Sequence, residues 1–407
     1  MLISTKMIKT FLFFFQKMLI WIYLLFNLSL FSQQKLIISG KVTDGKNFEI
    51  PYAAVGITGK YIGTSTTEEG SFSFIITNKE LSDTLKISSL GYETFKINMK
   101  DYLKLENKVI VLKEKFTELS EVVVLAPINY VSNSIKKLKE NTLSDTHQLN
   151  ILYRRWDIEE KECRYFIEHH LKSIDKGPFS NIVKFSVDNA RKSADYRLVK
   201  NEARFHPLKY MEWNNPLRKG LRVKSFKWKK TKDTNYDGED VLVFEGLKKN
   251  NDKLVLYIGF ETNRIYKVEY NFTPNTGKSQ EGIWTYKKNS KGKLYLSYHT
   301  RIWKGARKLP ENVKKIMLAN GQKVREYYPV EFRHEAMVLN LIEDKREFDN
   351  FQQSDQKDMS LYKIPYRKNF WDNISVPPKT KYYKKNIGML EALYGVPIET
   401  QFKYSNN

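Results

Sequence analysis

Six histidines, one cysteine and a scatter of carboxylates are the groups in this chain to test first for metal or nucleophile chemistry. A zinc hydrolase needs a His and a Glu separated by two residues to reach one ion, with a further His and a general-base Glu downstream. None of His147, His169, His170, His206, His299 and His334 has Glu three residues later, and His334-Glu335 runs on into Ala-Met-Val without completing H-E-x-x-H. The densest cluster is Cys163, Glu168, His169 and His170. On a strand, His169 and His170 point to opposite faces and cannot share a site, so one packed and one exposed histidine is expected there. Cys163 carries no nucleophile signature and reads as a small core residue. Glu168, Glu245 and Glu269 are carboxylates on predicted strands, where a widely dispersed hydrolase site would also place them. Gly-rich phosphate loops and nucleophile elbows are absent from the sequence. We therefore expect no catalytic residues, no metal ligands and no cofactor.

The one stretch with binding character is Arg218 to Lys232. From Arg222 to Lys230 it alternates, so that Arg222, Lys224 and Lys230 share a parity with Phe226 and Trp228. One strand face with cations and aromatics suits an anionic amphiphile or a glycan. The same pattern also suits a charged edge strand guarded against aggregation, the reading the spacing favours.

These residues must be positioned by β structure. After Pro127 a helix is expected with Val131, Ile135 and Leu138 on one face and Ser134, Lys136, Lys137, Lys139 and Glu140 mainly outside. Strands are expected at 149–158, 162–174, 182–187, 223–228, 240–247, 254–259, 265–272, 282–287, 294–304, 323–332 and 336–343. Turns such as Tyr236-Asp237-Gly238-Glu239 and Asn289-Ser290-Lys291-Gly292 make the topology a meander. An antiparallel sheet curved around a helix or an apolar cavity, similar to the half-barrel of periplasmic lipoprotein carriers, is the economical solution. The aromatic and proline-rich tail, with Ile364-Pro365-Tyr366, Phe370-Trp371 and Val376-Pro377-Pro378, is expected to dock back as an ordered strap, followed by a last helix at 387–393.

The segment from Ile38 to Tyr92 has its own pattern: Gly40-Lys41-Val42-Thr43-Asp44, Pro51-Tyr52-Ala53-Ala54-Val55, Gly63-Thr64, Glu68-Glu69-Gly70-Ser71-Phe72 and Ile87-Ser88-Ser89-Leu90-Gly91-Tyr92. It resembles the carboxypeptidase regulatory-like domain, a transthyretin-like β-sandwich fused to many bacterial envelope proteins. The resemblance implies a seven-stranded sandwich. It departs from the pattern at Thr67, where an aspartate is usual, which argues against a cation site at Glu68-Glu69. The exit Leu119-Ser120-Glu121-Val122-Val123-Val124 is similar to the junction of this sandwich with the plug of TonB-dependent receptors, but residues 126–407 lack a receptor's ladder of amphipathic strands. The units 242–269 and 191–197 look like uncharacterised envelope proteins carrying the same sandwich.

The chain is expected to divide into three parts: residues 1–33, a secretory signal with Lys6 and Lys9 before an apolar run, with an uncleaved membrane anchor as the alternative; residues 34–125, the sandwich; and residues 126–407, a larger basic β domain with an N-terminal helix and the aromatic strap. A lone cysteine in an exported chain allows no internal disulfide. The sandwich is neutral, with 12 Lys against 12 acidic residues, whereas residues 126–407 hold 54 basic and 34 acidic side chains, a net +20. For an exported protein, in the periplasm or at the outer membrane, that charge favours an anionic envelope component or an outer-membrane protein complex as partner, and nucleic acid is not expected. The fold class is mainly β, and the function expected is non-enzymatic binding, with an envelope glycan or peptide hydrolase as the alternative. Oligomeric state is not legible. The sandwich, with Gly63, Gly70 and Gly91 in tight turns, is expected to fold separately and to act as a spacer or docking unit that positions the second domain, without ligand chemistry of its own.

Overall fold

Alternating side chains in the N-terminal part build seven short strands: β1 (Leu36–Thr43), β2 (Ala54–Ile57), β3 (Gly63–Ser65), β4 (Ser71–Ile76), β5 (Thr84–Ser88), β6 (Phe95–Asn98) and β7 (Val109–Val111). The computed structural model describes residues 15–18, 35–115, 125–178, 180–182, 184–200, 202–212, 215–219, 221–273, 277–350 and 352–405. The segment expected to be a secretory signal, apart from 15–18, and the Leu119–Val124 exit lie outside the described residues. The seven strands pair as two sheets, ordered β4-β1-β7 and β3-β2-β5-β6. Between them Ile38, Val42, Val55, Phe72, Phe74, Leu85 and Ile87 are buried as a core separate from that of the second domain. Gly70 sits at φ +71°, and a Cβ there would strike the Val42 carbonyl, so the acidic turn needs glycine.

The second domain is one sheet of ten antiparallel strands, ordered β10-β9-β8-β17-β16-β15-β14-β13-β12-β11. They are β8 (His147–Glu159), β9 (Glu162–Asp175), β10 (Lys184–Lys192), β11 (Lys227–Tyr236), β12 (Glu239–Leu247), β13 (Lys253–Gly259), β14 (Ile265–Phe272), β15 (Ser279–Lys288), β16 (Leu294–Lys308) and β17 (Tyr327–Ile342). The mainly β class holds, but the order is not a pure meander. The last strand inserts between β16 and β8, pairing Val330 with Glu159 through to Ile342 with Gln148. The two strands expected at 323–332 and 336–343 are one, because the intervening charges are accommodated within the sheet. Arg333 pairs with Glu335 at 2.8 Å on one face, and the His334 ring meets Tyr153 and Tyr210 edge-on at 6.0 and 5.2 Å on the other. The strand expected at 223–228 starts only at Lys227. Val223–Ser225 is instead a 3-10 turn, held where the Trp228 indole donates to the Val223 carbonyl at 2.9 Å.

One face of the sheet is filled by the Pro127–Lys136 helix and by the long connection from β10 to β11. Val131 and Leu138 are buried there and Ile135 is partly so, as the periodicity predicts. Two details differ: the helix breaks at Lys137 before a second short helix, Leu138–Asn141, and Ser134 is buried, its hydroxyl donating to the Tyr130 carbonyl at 3.0 Å. Tyr130 stacks on Phe244 at 5.5 Å, and the Tyr153 hydroxyl donates to the Pro207 carbonyl at 3.0 Å. The strap docks as expected, with Met359 and Tyr362 in this core and Trp371 against Leu152, Tyr298 and Met337 on the opposite face. The terminal helix is longer than expected, Lys381–Ala392, and a further helix, Ile398–Ser405, comes after it; both cover Trp156, Cys163 and Phe166. No helix among the described residues is long and apolar enough to cross a membrane.

His169 and His170 do point to opposite faces, but both are buried: His169 contacts His206 at 3.0 Å and His170 packs against Phe370. Burial pushes five histidines down, His170 to about 4, His206 and His299 to about 3, and His169 and His334 well below the ordinary range. In the unfolded chain each returns to about 6.5. Between these limits the unfolded chain binds more protons, so stability falls as pH falls below about 6.5, by up to about 1.4 kcal/mol per pH unit for each histidine. Urea unfolding at pH 7 and pH 5 should therefore show a clearly lower midpoint at pH 5, and the His299→Asn variant a smaller drop. Equal midpoints would contradict the burial of neutral histidines.

Candidate functional site

The structure separates the residues that the sequence grouped as a binding strand. Arg222 precedes the 3-10 turn and is exposed, as is Lys224 within it. Phe226 is buried in the core, with the Lys248 ammonium 4.7 Å from its ring. Trp228 lies over Gly246, half-buried, and Lys230 pairs with Asp233 at 2.7 Å. The two aromatics are committed to packing while Arg222 and Lys224 remain in solvent. β11 is an outer strand of the sheet, and the lysines at 227, 229, 230 and 232 are exposed on it. This is the arrangement of a protected edge.

The candidate carboxylates are also occupied. Glu168 is fully buried between Arg154 and Arg191, whose guanidiniums both donate to it. Burial alone would raise its carboxyl, and Arg191 and Arg154 more than reverse that, holding it below the ordinary value. Arg191 in turn lies 4.3 Å from the Trp371 ring. Glu245 is bridged by Lys229 at 3.0 Å and by Lys253. Glu269 pairs with Lys267 at 2.7 Å and accepts from the Tyr257 hydroxyl at 2.9 Å. Cys163 is buried, and burial pushes its thiol far up, away from thiolate chemistry.

What sequence reasoning missed is a crevice built by two domains together. The sandwich lies against the sheet face opposite the Pro127–Lys136 helix, held by contacts along its length. Tyr52 stacks on Tyr298 at 4.7 Å. The acidic turn bridges to the second domain, with Glu68 on Arg333 at 2.9 Å and Glu69 accepting from the Lys381 backbone N–H. These two carboxylates thus dock the sandwich on the second domain. At the other end Lys86 pairs with Asp237 at 2.6 Å, and the Asn235 side chain donates to the Lys115 carbonyl at 2.7 Å. Gly91, at φ +86°, brings its N–H to the Asn235 carbonyl at 2.8 Å, and a Cβ would sit 3.2 Å from the Thr234 hydroxyl.

Two open spaces remain between these contacts. The first, about 240 Å³, is bounded by Pro51, Tyr52 and Leu90 of the sandwich and by Lys232, Tyr257 and Lys267 of the sheet. The second, about 460 Å³, lies between the β2–β3 hairpin and the ends of β11, β15 and β16, with Tyr61, Lys86, Tyr236, Lys287, Lys288 and Tyr295 on its walls. Ala54 and Tyr236 border both. Tyrosine rings with a surplus of ammonium groups suit a ligand that is part apolar and part anionic. Burial lowers the Lys287 ammonium to about 8; the Lys288 ammonium is also lowered, against the opposing pull of Asp237 and Glu239. The signal in the sequence was slight: Lys287 and Lys288 end a strand between Tyr286 and a turn, indistinguishable there from surface lysines.

Residues 38–124 match the family model of the CarboxypepD_reg-like domain. No characterised protein matches the chain. Among solved structures, a putative outer membrane lipoprotein-sorting protein domain from Vibrio parahaemolyticus aligns at 11% identity and a TM-score of 0.28, over 54% of this chain and 93% of that one. A DUF1329 family protein from Desulfovibrio piger aligns at 11% identity and 0.25, over 55% and 96%. A LolA superfamily protein from Nitrosomonas europaea aligns at 13% and 0.19, over 51% and 93%. These likenesses are partial and fall on only about half of the chain.

This geometry sets two expected outcomes. Glu168→Gln leaves two buried guanidiniums short of counter-charge and should cost about 3–5 kcal/mol in denaturant unfolding; a loss below about 1 kcal/mol would mean that the triad is hydrated. A double-mutant cycle on Glu68→Gln and Arg333→Gln should give a coupling of about 0.5–3 kcal/mol. Strict additivity would show that the sandwich does not dock through this pair.

Proposed function

We propose that this protein is a non-enzymatic binding protein of the cell envelope, whose sandwich and basic sheet together hold an anionic, partly apolar envelope component in the crevice between them. The observation that carries this reading is the crevice itself, an open space at a domain interface, walled by tyrosines and lysines and bordered by specific contacts on both sides. Its size falls in the range of small-molecule sites. The export signal read from the sequence and the net +20 of residues 126–407 favour an envelope anion over a nucleic acid. A hydrolase is disfavoured because Glu168, Glu245 and Glu269 are each held in ion pairs that a reaction would have to break.

The test is to express the full chain with its own N-terminus and a C-terminal tag, fractionate the cells, and extract the purified protein for lipid and glycan mass spectrometry. The expected result is an envelope fraction carrying a near-stoichiometric anionic amphiphile, displaced by a bulky side chain at Ala54, which borders both spaces. A cytosolic protein, or an envelope protein that retains nothing after exposure to solubilised envelope lipid, would refute the proposal.

A further inference from the structure

Four lysines line the second space, and three of them have carboxylate partners. Lys60 reaches Asp83 at 2.7 Å and Glu80 at 3.0 Å, Lys86 reaches Asp237 at 2.6 Å, and Lys288 lies 3.9 Å from Glu239 and 4.0 Å from Asp237. Lys287 has no carboxylate within 4 Å and no hydrogen-bond partner among the described residues; its ammonium lies 5.4 Å from the centroid of the Tyr295 ring. Lys232, which lines the first space, also lacks a carboxylate, but it is exposed and water solvates it. Lys287 is half-buried, on a strand with neighbours on both sides, so its charge is partly stripped of water with nothing in the chain to replace it. Burying an unpaired ammonium is costly, and a fold that retains one leaves a site that an anion completes.

We propose that the second space binds an oxyanion, a phosphate or carboxylate on the head of an amphiphile, with Lys287 as its anchor and Tyr61, Tyr236 and Tyr295 as the walls against which the adjoining apolar part rests. This rests on the crevice reading above and adds to it the chemistry of the head group and the residue that reads it. The neighbouring lysines contribute little selectivity, because their charges are already met by Asp237, Glu239, Glu80 and Asp83. The aromatic walls favour an amphiphile over a free inorganic ion.

The test uses the full chain with three probes: dodecyl phosphate, inorganic phosphate, and dodecyl maltoside as an uncharged amphiphile. Binding is measured by calorimetry below micelle concentrations, and amine acetylation is followed residue by residue by mass spectrometry. Dodecyl phosphate should bind and slow acetylation of Lys287 at least tenfold while changing the exposed Lys227 less than twofold. Lys287→Met should weaken binding at least tenfold yet unfold at the same temperature as the parent or higher, because removal of an unpaired charge relieves the fold. The Lys227→Met variant, exposed on β11 and outside both spaces, should bind as the parent does. Full affinity in Lys287→Met overturns the assignment. If Ala54→Trp, folded by its unfolding temperature, abolishes binding in that case, the crevice reading survives without Lys287; if it does not, both fall. Equal protection by inorganic phosphate overturns the amphiphile, and equal binding of dodecyl maltoside overturns the anion.

Discussion

The pairing of β17 with β8 is the constraint on which the second domain depends. It joins residues some 180 positions apart in sequence through an unbroken antiparallel register from Val330↔Glu159 to Val338↔Ile151. Without it the chain would form two separate antiparallel sheets, β8 to β10 and β11 to β17, each with an additional open edge. With it, Leu152, Arg154 and Trp156 align with Met337, Glu335 and Arg333 on one face, and Tyr153 and Arg155 align with Ala336 and His334 on the other. The first row receives the sandwich and the C-terminal helices. The second receives the connection between β10 and β11.

Charged groups are buried along both rows, and several are held by a counter-charge from a segment distant in sequence. Arg155 meets Asp358 of the strap at 2.9 Å and Asp157 of its own strand at 2.8 Å, while Arg197 from the long connection meets Asp157 at 2.8 Å. Buried pairs of this kind contribute little net stability, but breaking one side is expensive, so they fix which segments lie where. Arg333 performs the same service for the sandwich through Glu68. The crevice is the space that remains once these contacts are made.

Much of the fold was legible because alternation and turn residues are local signals. Strands β12 to β14 fall within a residue or so of their expected limits, and the sandwich is marked by its glycine turns and inward aromatics. The errors arose where a non-local partner overrides a local signal. Arg333-His334-Glu335 reads as a break, yet Glu68 and buried aromatic rings admit it into a strand. The alternation from Arg222 to Lys230 reads as one strand face, yet an indole-to-carbonyl bond folds its first half into a turn. One of His169 and His170 reads as exposed, yet His206 meets the first and Phe370 of the strap covers the second. The crevice was illegible for the same reason: its walls come from strands that meet only when two domains dock, and no spacing along the chain connects Tyr61 to Lys287.

The most direct measurement of whether the crevice is a binding site is a crystal structure of the full chain purified without delipidation from the cells that express it. The expected result is density in the space between the β2–β3 hairpin and β15, with an oxygen of the occupant within hydrogen-bond distance of the Lys287 Nζ and Glu68 still on Arg333. A crevice occupied only by water, with the ligand elsewhere or none present, would contradict it.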